Sequence, residues 1–227
     1  MVRVLAYPTS TYKSVQRKYN LDRIVDDFEA MLERARLAGV KSMIITGGSL
    51  RESRQALELA KKHSCHPTRS SEFDKFSGGP AAYLNELDKL IEQHMAGPGR
   101  VVAVGECGLD YDRTHFASKD VQKTHFSKDG LLVLAKKWHL PLFLHSRAAH
   151  ADFVTILREE GFGENGGRSV GARGGVVHSF TGPSEDAMEY QAMGFHLSIN
   201  GCSLKTLENL KAAAVVRPEN LLLETGD

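Results

Sequence analysis

Short apolar runs that alternate with longer amphipathic segments restrict the folds open to this chain. Six runs have the length and apolar character of buried strands; they are Ser42–Thr46, Val101–Glu106, Leu140–His145, Gly175–Ser179, Phe195–Ile199 and Leu221–Glu224. Helix-like patterns lie around and between them; they cover Asp26–Ala38, Arg51–His63, Pro80–Met95, Asp120–Trp138, Ala148–Glu160, Pro183–Met193 and Ser203–Val215. This alternation predicts parallel βα units, which either close into a (β/α)8 barrel or open into a doubly wound sheet.

Polar residues at the ends of these runs favour the barrel. The C-terminal ends of the predicted strands carry Glu106, His145, His178, Asn200 and Glu224. A barrel builds its site from several strand ends at this edge. A doubly wound sheet usually relies on one glycine-rich phosphate loop, and Thr46–Ser49 lacks the lysine and the spacing of a P-loop. We therefore predict a single α/β domain over residues 1–227, a TIM barrel.

Composition limits the surroundings and the partners of this domain. The chain has 227 residues and a formal net charge of +1, so no overall positive field attracts a polyanion. A nucleic-acid substrate would have to be held by local Lys or Arg side chains or by a metal. Cys65, Cys107 and Cys202 are too few and too scattered for a disulfide framework or a zinc–thiolate site. We expect an intracellular protein, cytoplasmic or nuclear, with no signal peptide and no membrane partner.

Two histidines and a glutamate are the candidates for chemistry. His145 and His178 each follow an apolar run, and either alone is equally well explained as a core histidine that bonds a backbone carbonyl. Both histidines with Glu106 at one strand edge predict a metal site, since mixed His and carboxylate ligands suit Zn²⁺, Mn²⁺ or Mg²⁺. Asp110 or Asp112, just beyond Glu106, is a candidate to orient a ligand histidine.

Several blocks in this order resemble the TatD-type metal-dependent deoxyribonucleases, most closely the eukaryotic members. The blocks are ITGG, CHPTR, GECGLDYDR, LPLFLHSRAAH, GVVHSFTG, INGCSLKT and LLLET, within residues 26–225. The resemblance implies a barrel of the metallo-hydrolase superfamily that hydrolyses DNA with one or two divalent ions, often from the 3′ end, without an organic cofactor. It implies that Glu106 is a catalytic metal ligand, that His145 and His178 are further ligands, and that His66 lies near the substrate phosphate. Arg147, two residues past His145, is a candidate phosphate contact.

Three departures from the family pattern predict an incomplete barrel. The first strand region, Val2–Ala6, brings no His or Asp to the site. The segment between His63 and His66 is too short for an ordinary third strand. After LLLET, an extra glycine at Gly226 shifts the family aspartate to Asp227, the remaining candidate ligand. Together these departures suggest a truncated or alternatively spliced form, or an imperfect gene model.

Two other functions are compatible with the same barrel edge. One is an amidohydrolase-like esterase or lactonase, because a fold does not choose its reaction. The other is an inactive barrel that acts as a binding protein, which the departures from the family pattern suggest.

Overall fold

Parallel strands of one sheet organise the computed structural model. It describes residues 3–6, 28–40, 42–47, 49–63, 65–66, 76–97, 99–127 and 130–224; only the backbone is described at 3–6, 28–29, 61–63 and 65–66. The strands are β1 Arg3–Ala6, β2 Ser42–Ile45, β3 Cys65–His66, β4 Val104–Asp110, β5 Leu142–Arg147, β6 Gly175–Val177, β7 His196–Ile199 and β8 Leu221–Glu224. Their order is β3-β2-β1-β8-β7-β6-β5-β4, and every pairing is parallel.

The strand order is that of a barrel open along one seam. In the described ranges, no pairing joins β3 and β4, the two ends of the order. The prediction of an incomplete (β/α)8 barrel is confirmed in this respect. The three regions that depart from the family pattern nevertheless each form a strand, although β3 has only two residues. The seam therefore lies beside the shortest strand.

Helices follow most strands and cover the outside of the sheet. They are α1 Phe28–Leu37, α2 Leu50–His63, α3 Gly79–Gln93, α4 Lys119–Phe126, α5 Leu132–Trp138, α6 His150–Glu159, α7 Ser184–Ala192 and α8 Leu207–Ala214. None of the helices in the described ranges combines the length and apolar composition that crossing a bilayer requires.

Two helix predictions are wrong in detail. The pattern over Asp120–Trp138 predicts one helix, but the chain forms α4 and α5. A Cβ at Gly130 would lie 1.7 Å from the carbonyl oxygen of His125, so the chain folds back on itself where only glycine fits. The pattern starting at Ser203 yields a short 3₁₀ turn, and α8 begins later, where the Thr206 hydroxyl accepts from the backbone N–H of Asn209.

Alternation along the strands separates two apolar layers. Outward residues such as Leu142, Leu144 and Val177 pack against the helices in the main core. The inward residues Ala103, Phe143 and Val176 form a small cluster inside the barrel. A side chain two residues further along a strand faces the same way. His145 after Phe143 and His178 after Val176 therefore lie on the barrel interior, at its C-terminal end.

Candidate metal centre

Glu106 lies at a bulge in β4. The sequence places it at the end of a strand, but β4 continues to Asp110. Gly105 pairs with Phe143 and Cys107 pairs with Leu144, so Glu106 is an extra residue between them. Without the extra residue, Glu106 would pair with Leu144, and its side chain would point outward into the apolar core like that of Leu144. The bulge re-aims its side chain, as such insertions commonly do beside sites.

Two glycines on either side of Glu106 let β4 approach β5 closely. A Cβ at Gly105 would lie 2.1 Å from the carbonyl oxygen of Phe143, and a Cβ at Gly108 would lie 1.9 Å from that of His145. Both glycines also have positive φ, 137° and 146°, which L side chains rarely adopt. The sequence Gly-Glu-Cys-Gly is thus the local reason that a buried carboxylate faces the barrel interior.

Three ligand-type atoms meet in a triangle at this edge, which we call the metal triangle. Oε1 of Glu106 lies 3.2 Å from Nδ1 of His145 and 3.1 Å from Nε2 of His178. The two nitrogens are 3.1 Å apart. Glu106 and His178 are buried, and His145 is half-buried. Lone pairs on three such atoms repel one another, so the arrangement requires a proton or a cation among them.

The donor set and its spacing fit a divalent ion. Ligand atoms bonded at about 2.0 Å lie roughly 3.3 Å apart around a tetrahedral ion, and at about 2.1 Å roughly 3.0 Å apart around an octahedral one. The edges of the triangle, 3.1–3.2 Å, fall between these values. Two imidazoles and one carboxylate leave room for water or substrate, as catalytic sites do.

Asp110 orients His145. Its Oδ2 lies 3.1 Å from Nε2 of His145, while its Oδ1 accepts from the backbone N–H of Asp112 at 3.1 Å. This bond places the proton of His145 on Nε2 and turns the lone pair of Nδ1 towards the triangle. Burial raises the pKa of Asp110, but the hydrogen bond from His145 and the nearby charges of His145, Arg147 and Arg113 together lower it by more. The carboxyl group is therefore ionised at neutral pH.

Glu224 lies behind His178, but beyond hydrogen-bond distance. Its Oε2 lies 3.6 Å from Nδ1 of His178. Ser198 Oγ donates to Oε2 at 2.8 Å, and Asn200 Nδ2 donates to Oε1 at 3.0 Å. These two neutral donors hold the buried Glu224 carboxylate in place. The sequence predicts that Asn200 and Glu224 lie at strand ends, but it does not predict the hydrogen bonds between them. The signal that could have found these bonds is the two-residue spacing of inward-facing positions along each strand.

The surroundings of His178 shift the pKa of its imidazole. Burial lowers the pKa of its imidazole, but the charges of Glu106 and Glu224 and the hydrogen bond to Glu106 raise it by more, to about 9. A positive charge is therefore stabilised between these carboxylates. In the absence of a metal that charge is a proton on His178.

Arg147 lies beyond His145 on the inward face of β5, paired with Asp110. Its positive charge contributes to the lowered pKa of Asp110. Within the described ranges it makes no ion pair with a carboxylate. The backbone of His66 lies in β3, but its side chain and all of Asp227 lie outside the described residues.

Comparison with known proteins places the chain in a family. The model of the family described as TatD related DNase matches residues 18–227. The chain is 42% identical over 207 residues to the deoxyribonuclease Tat-D of Schizosaccharomyces pombe, covering 88% of this chain and 63% of that protein. It is 37% identical to the 3′-5′ ssDNA/RNA exonuclease TatD of Cronobacter sakazakii, over 88% of this chain and 71% of that one.

The fold matches solved structures as well. An uncharacterized amidohydrolase from Saccharomyces cerevisiae superimposes with a TM-score of 0.77 at 28% identity, covering 99% of this chain and 74% of that one. The chain spans less than two thirds of the length of the S. pombe relative. By the extent of the family match and by its identity to these relatives, the chain belongs to the TatD related DNase family.

Proposed function

We propose that this chain is a divalent-metal-dependent deoxyribonuclease that removes nucleotides from the 3′ end of single-stranded DNA. The observation that carries the proposal is the metal triangle, in which each histidine is backed by a carboxylate. The names of the S. pombe and C. sakazakii relatives support the substrate and the direction of cleavage. The reaction is a hydrolysis and needs no organic cofactor.

Glu106, His145 and His178 would hold the ion. A bound divalent ion polarises a phosphoryl oxygen and lowers the pKa of a bound water. Two imidazole nitrogens and one carboxylate oxygen favour Zn²⁺ or Mn²⁺, because Mg²⁺ prefers an all-oxygen shell. We propose one ion at this triangle, with Asp227 as a further ligand.

The side chains of this chain have separate roles in the proposed reaction. Glu106 accepts the proton of the attacking water as the water oxygen bonds to phosphorus and the P–O3′ bond breaks. Asp110 and Glu224 keep the imidazoles oriented throughout. Arg147 binds a non-bridging phosphate oxygen, and His66 lies near the same phosphate. The leaving 3′ oxygen takes a proton from solvent.

The proposal also covers the domain and its location. We propose one barrel domain over residues 1–227, since strands from both ends of the chain, β1 and β8, pair in one sheet. Cys107 and Cys202 are free thiols, the state that a reducing compartment maintains. This supports an intracellular location, cytoplasmic or nuclear.

The test is cleavage of a 5′-labelled single-stranded oligonucleotide after chelation and metal add-back. We expect a ladder that shortens from the 3′ end with Mn²⁺ or Zn²⁺, and none with the chelator. Glu106→Gln should abolish it. His196→Ala is the matched control, because His196 is an exposed histidine at the opposite end of its strand.

The same protein would be offered a panel of small esters and lactones. Ester turnover without DNA cleavage would replace the nuclease by an amidohydrolase-like esterase. Binding of DNA by a folded, metal-loaded sample without cleavage of any substrate would mean that the barrel is a binding protein.

A further inference from the structure

The loop after β4 presents an exposed aromatic ring, and Asp110, where this loop leaves the strand, contacts His145 of the metal triangle. Phe116 has 74% of its surface exposed. Of the large apolar side chains exposed in the described ranges, it is the aromatic one. Leaving a phenylalanine exposed forfeits about 1.5–3 kcal/mol of burial energy. Single exposed apolar residues are ordinary on protein surfaces. A functional role for Phe116 therefore has to be argued from its position and from the contacts that hold its loop.

One side chain closes this loop beside the site. The amide of Gln122 accepts from the backbone N–H of Asp110 at 2.7 Å and donates to the carbonyl oxygens of Asp110 and Ala117, both at 2.9 Å. Both carbonyl oxygens therefore contact one nitrogen atom. Phe116, next to Ala117, is thus held close to Asp110, which itself contacts His145 of the triangle.

Contacts of other side chains hold the loop in place. Its first residue, Tyr111, donates to Oδ2 of Asp152 at 2.5 Å, and Lys119 lies 4.3 Å from the centre of the Tyr111 ring. Phe116 touches the ring of His115, with centroids 4.1 Å apart and planes at 42°. The exposed ring is therefore braced on one side by a second aromatic ring.

Two arginine side chains near the loop can contact an anionic chain, alongside the acidic Asp110 and Asp112. Arg113, in the same loop, is more than half exposed and lies 3.7 Å from Asp110. Arg147 lies on the neighbouring strand, paired with Asp110. Single-stranded nucleic acids are held by this combination of cationic side chains along the backbone and exposed aromatic rings on which bases stack.

We propose that Phe116 is a stacking platform for a base near the 3′ end of a single-stranded substrate. This inference rests on the proposed function, because it needs a nucleic acid at the metal triangle. Stacking tolerates any base, since every base has a π-face. Phe116 therefore contributes affinity for single-stranded ends without sequence preference.

The test is a binding cycle of two proteins and two oligonucleotides. Fluorescence anisotropy would measure Kd for a 5′-labelled single-stranded DNA and for the same strand with its last three bases replaced by abasic sites. All proteins would carry Glu106→Gln to prevent cleavage. Phe116→Ala should raise Kd about fivefold or more on the normal strand. It should leave Kd unchanged on the abasic strand, which keeps the phosphates.

Further variants separate stacking from apolar contact. Phe116→Trp should retain the affinity, whereas Phe116→Leu, which keeps an apolar side chain without a π-face, should lose most of it. Leu207→Ala is the matched control, because Leu207 is an exposed apolar residue on α8. Equal losses on both strands, no loss on either, or no binding at all would overturn the inference.

Turnover by proteins with an intact Glu106 separates this inference from the proposed function. If the protein cleaves DNA but Phe116→Ala changes Kd equally on the normal and abasic strands, the stacking platform is ruled out and the nuclease stands. If Phe116→Ala raises Kd only on the normal strand but no cleavage occurs, the stacking platform stands and the proposed hydrolysis is ruled out.

Discussion

Replacing Asp110 by asparagine tests how the metal triangle is oriented. The change keeps the size of the side chain but removes its charge. In the native site Oδ2 faces Nε2 of His145 while Oδ1 accepts from the N–H of Asp112. An asparagine has one acceptor and one donor end, so it would place its NH₂ group against one of these two N–H groups. One bond is lost in either orientation.

The size of the effect follows from that geometry. Loss of a carboxylate behind a metal-binding histidine typically weakens metal affinity 10- to 100-fold, about 1.4–2.7 kcal/mol. Asp110 is half-buried and its distance to His145 is 3.1 Å, so water replaces it poorly. We expect Asp110→Asn to fall in this range, with the fold retained.

Calorimetric titration of the metal-free protein with Zn²⁺ or Mn²⁺ would measure this effect. Asp112→Asn is the matched control, because Asp112 is an exposed neighbour and it is Asp110 that contacts His145. A Kd for Asp110→Asn within twofold of the wild type would refute the reasoning. Equal weakening by both variants would do the same, since it would point to general charge rather than to orientation.

Three further changes test the fold around the site. Gly108→Ala places a Cβ 1.9 Å from the carbonyl oxygen of His145, so we expect the free energy of unfolding in urea to fall by about 3 kcal/mol or more. Gly201→Ala is the control and should change this free energy little, because a Cβ there would have nothing within 4 Å. Glu224→Gln sets an amide donor against the donor of Ser198 or Asn200, which should lower the free energy of unfolding by about 1–3 kcal/mol. An unchanged free energy of unfolding would contradict these hydrogen bonds. Phe153→Ala removes a fully buried ring, and should cost about 3–5 kcal/mol in the same assay without changing metal stoichiometry.

Much of the fold could be predicted from pattern alone. The apolar runs before His145 and His178 coincide with β5 and β6, because a strand covered on its outer face must be apolar. The strand end at Glu224 is also predicted correctly. These residues converge because parallel strands carry their C-terminal ends to one edge.

The bulge at Glu106 could not be predicted in the same way. The apolar pattern ends this strand at Glu106, and the extra residue is visible only in the pairing of β4 with β5. The glycines on either side were the available signal, but a glycine alone does not tell a bulge from a turn. Likewise, spacing along the chain does not show that Asp110, rather than Asp112, contacts His145.

The most direct test of this account is anomalous diffraction from a crystal grown with Mn²⁺. We predict one peak within about 2.3 Å of Oε1 of Glu106, Nδ1 of His145 and Nε2 of His178. Collection with a Glu106→Gln crystal under the same conditions should show that peak lost or strongly reduced. A peak elsewhere in the barrel, or none at saturating Mn²⁺, would contradict the assignment of these three atoms as the metal centre.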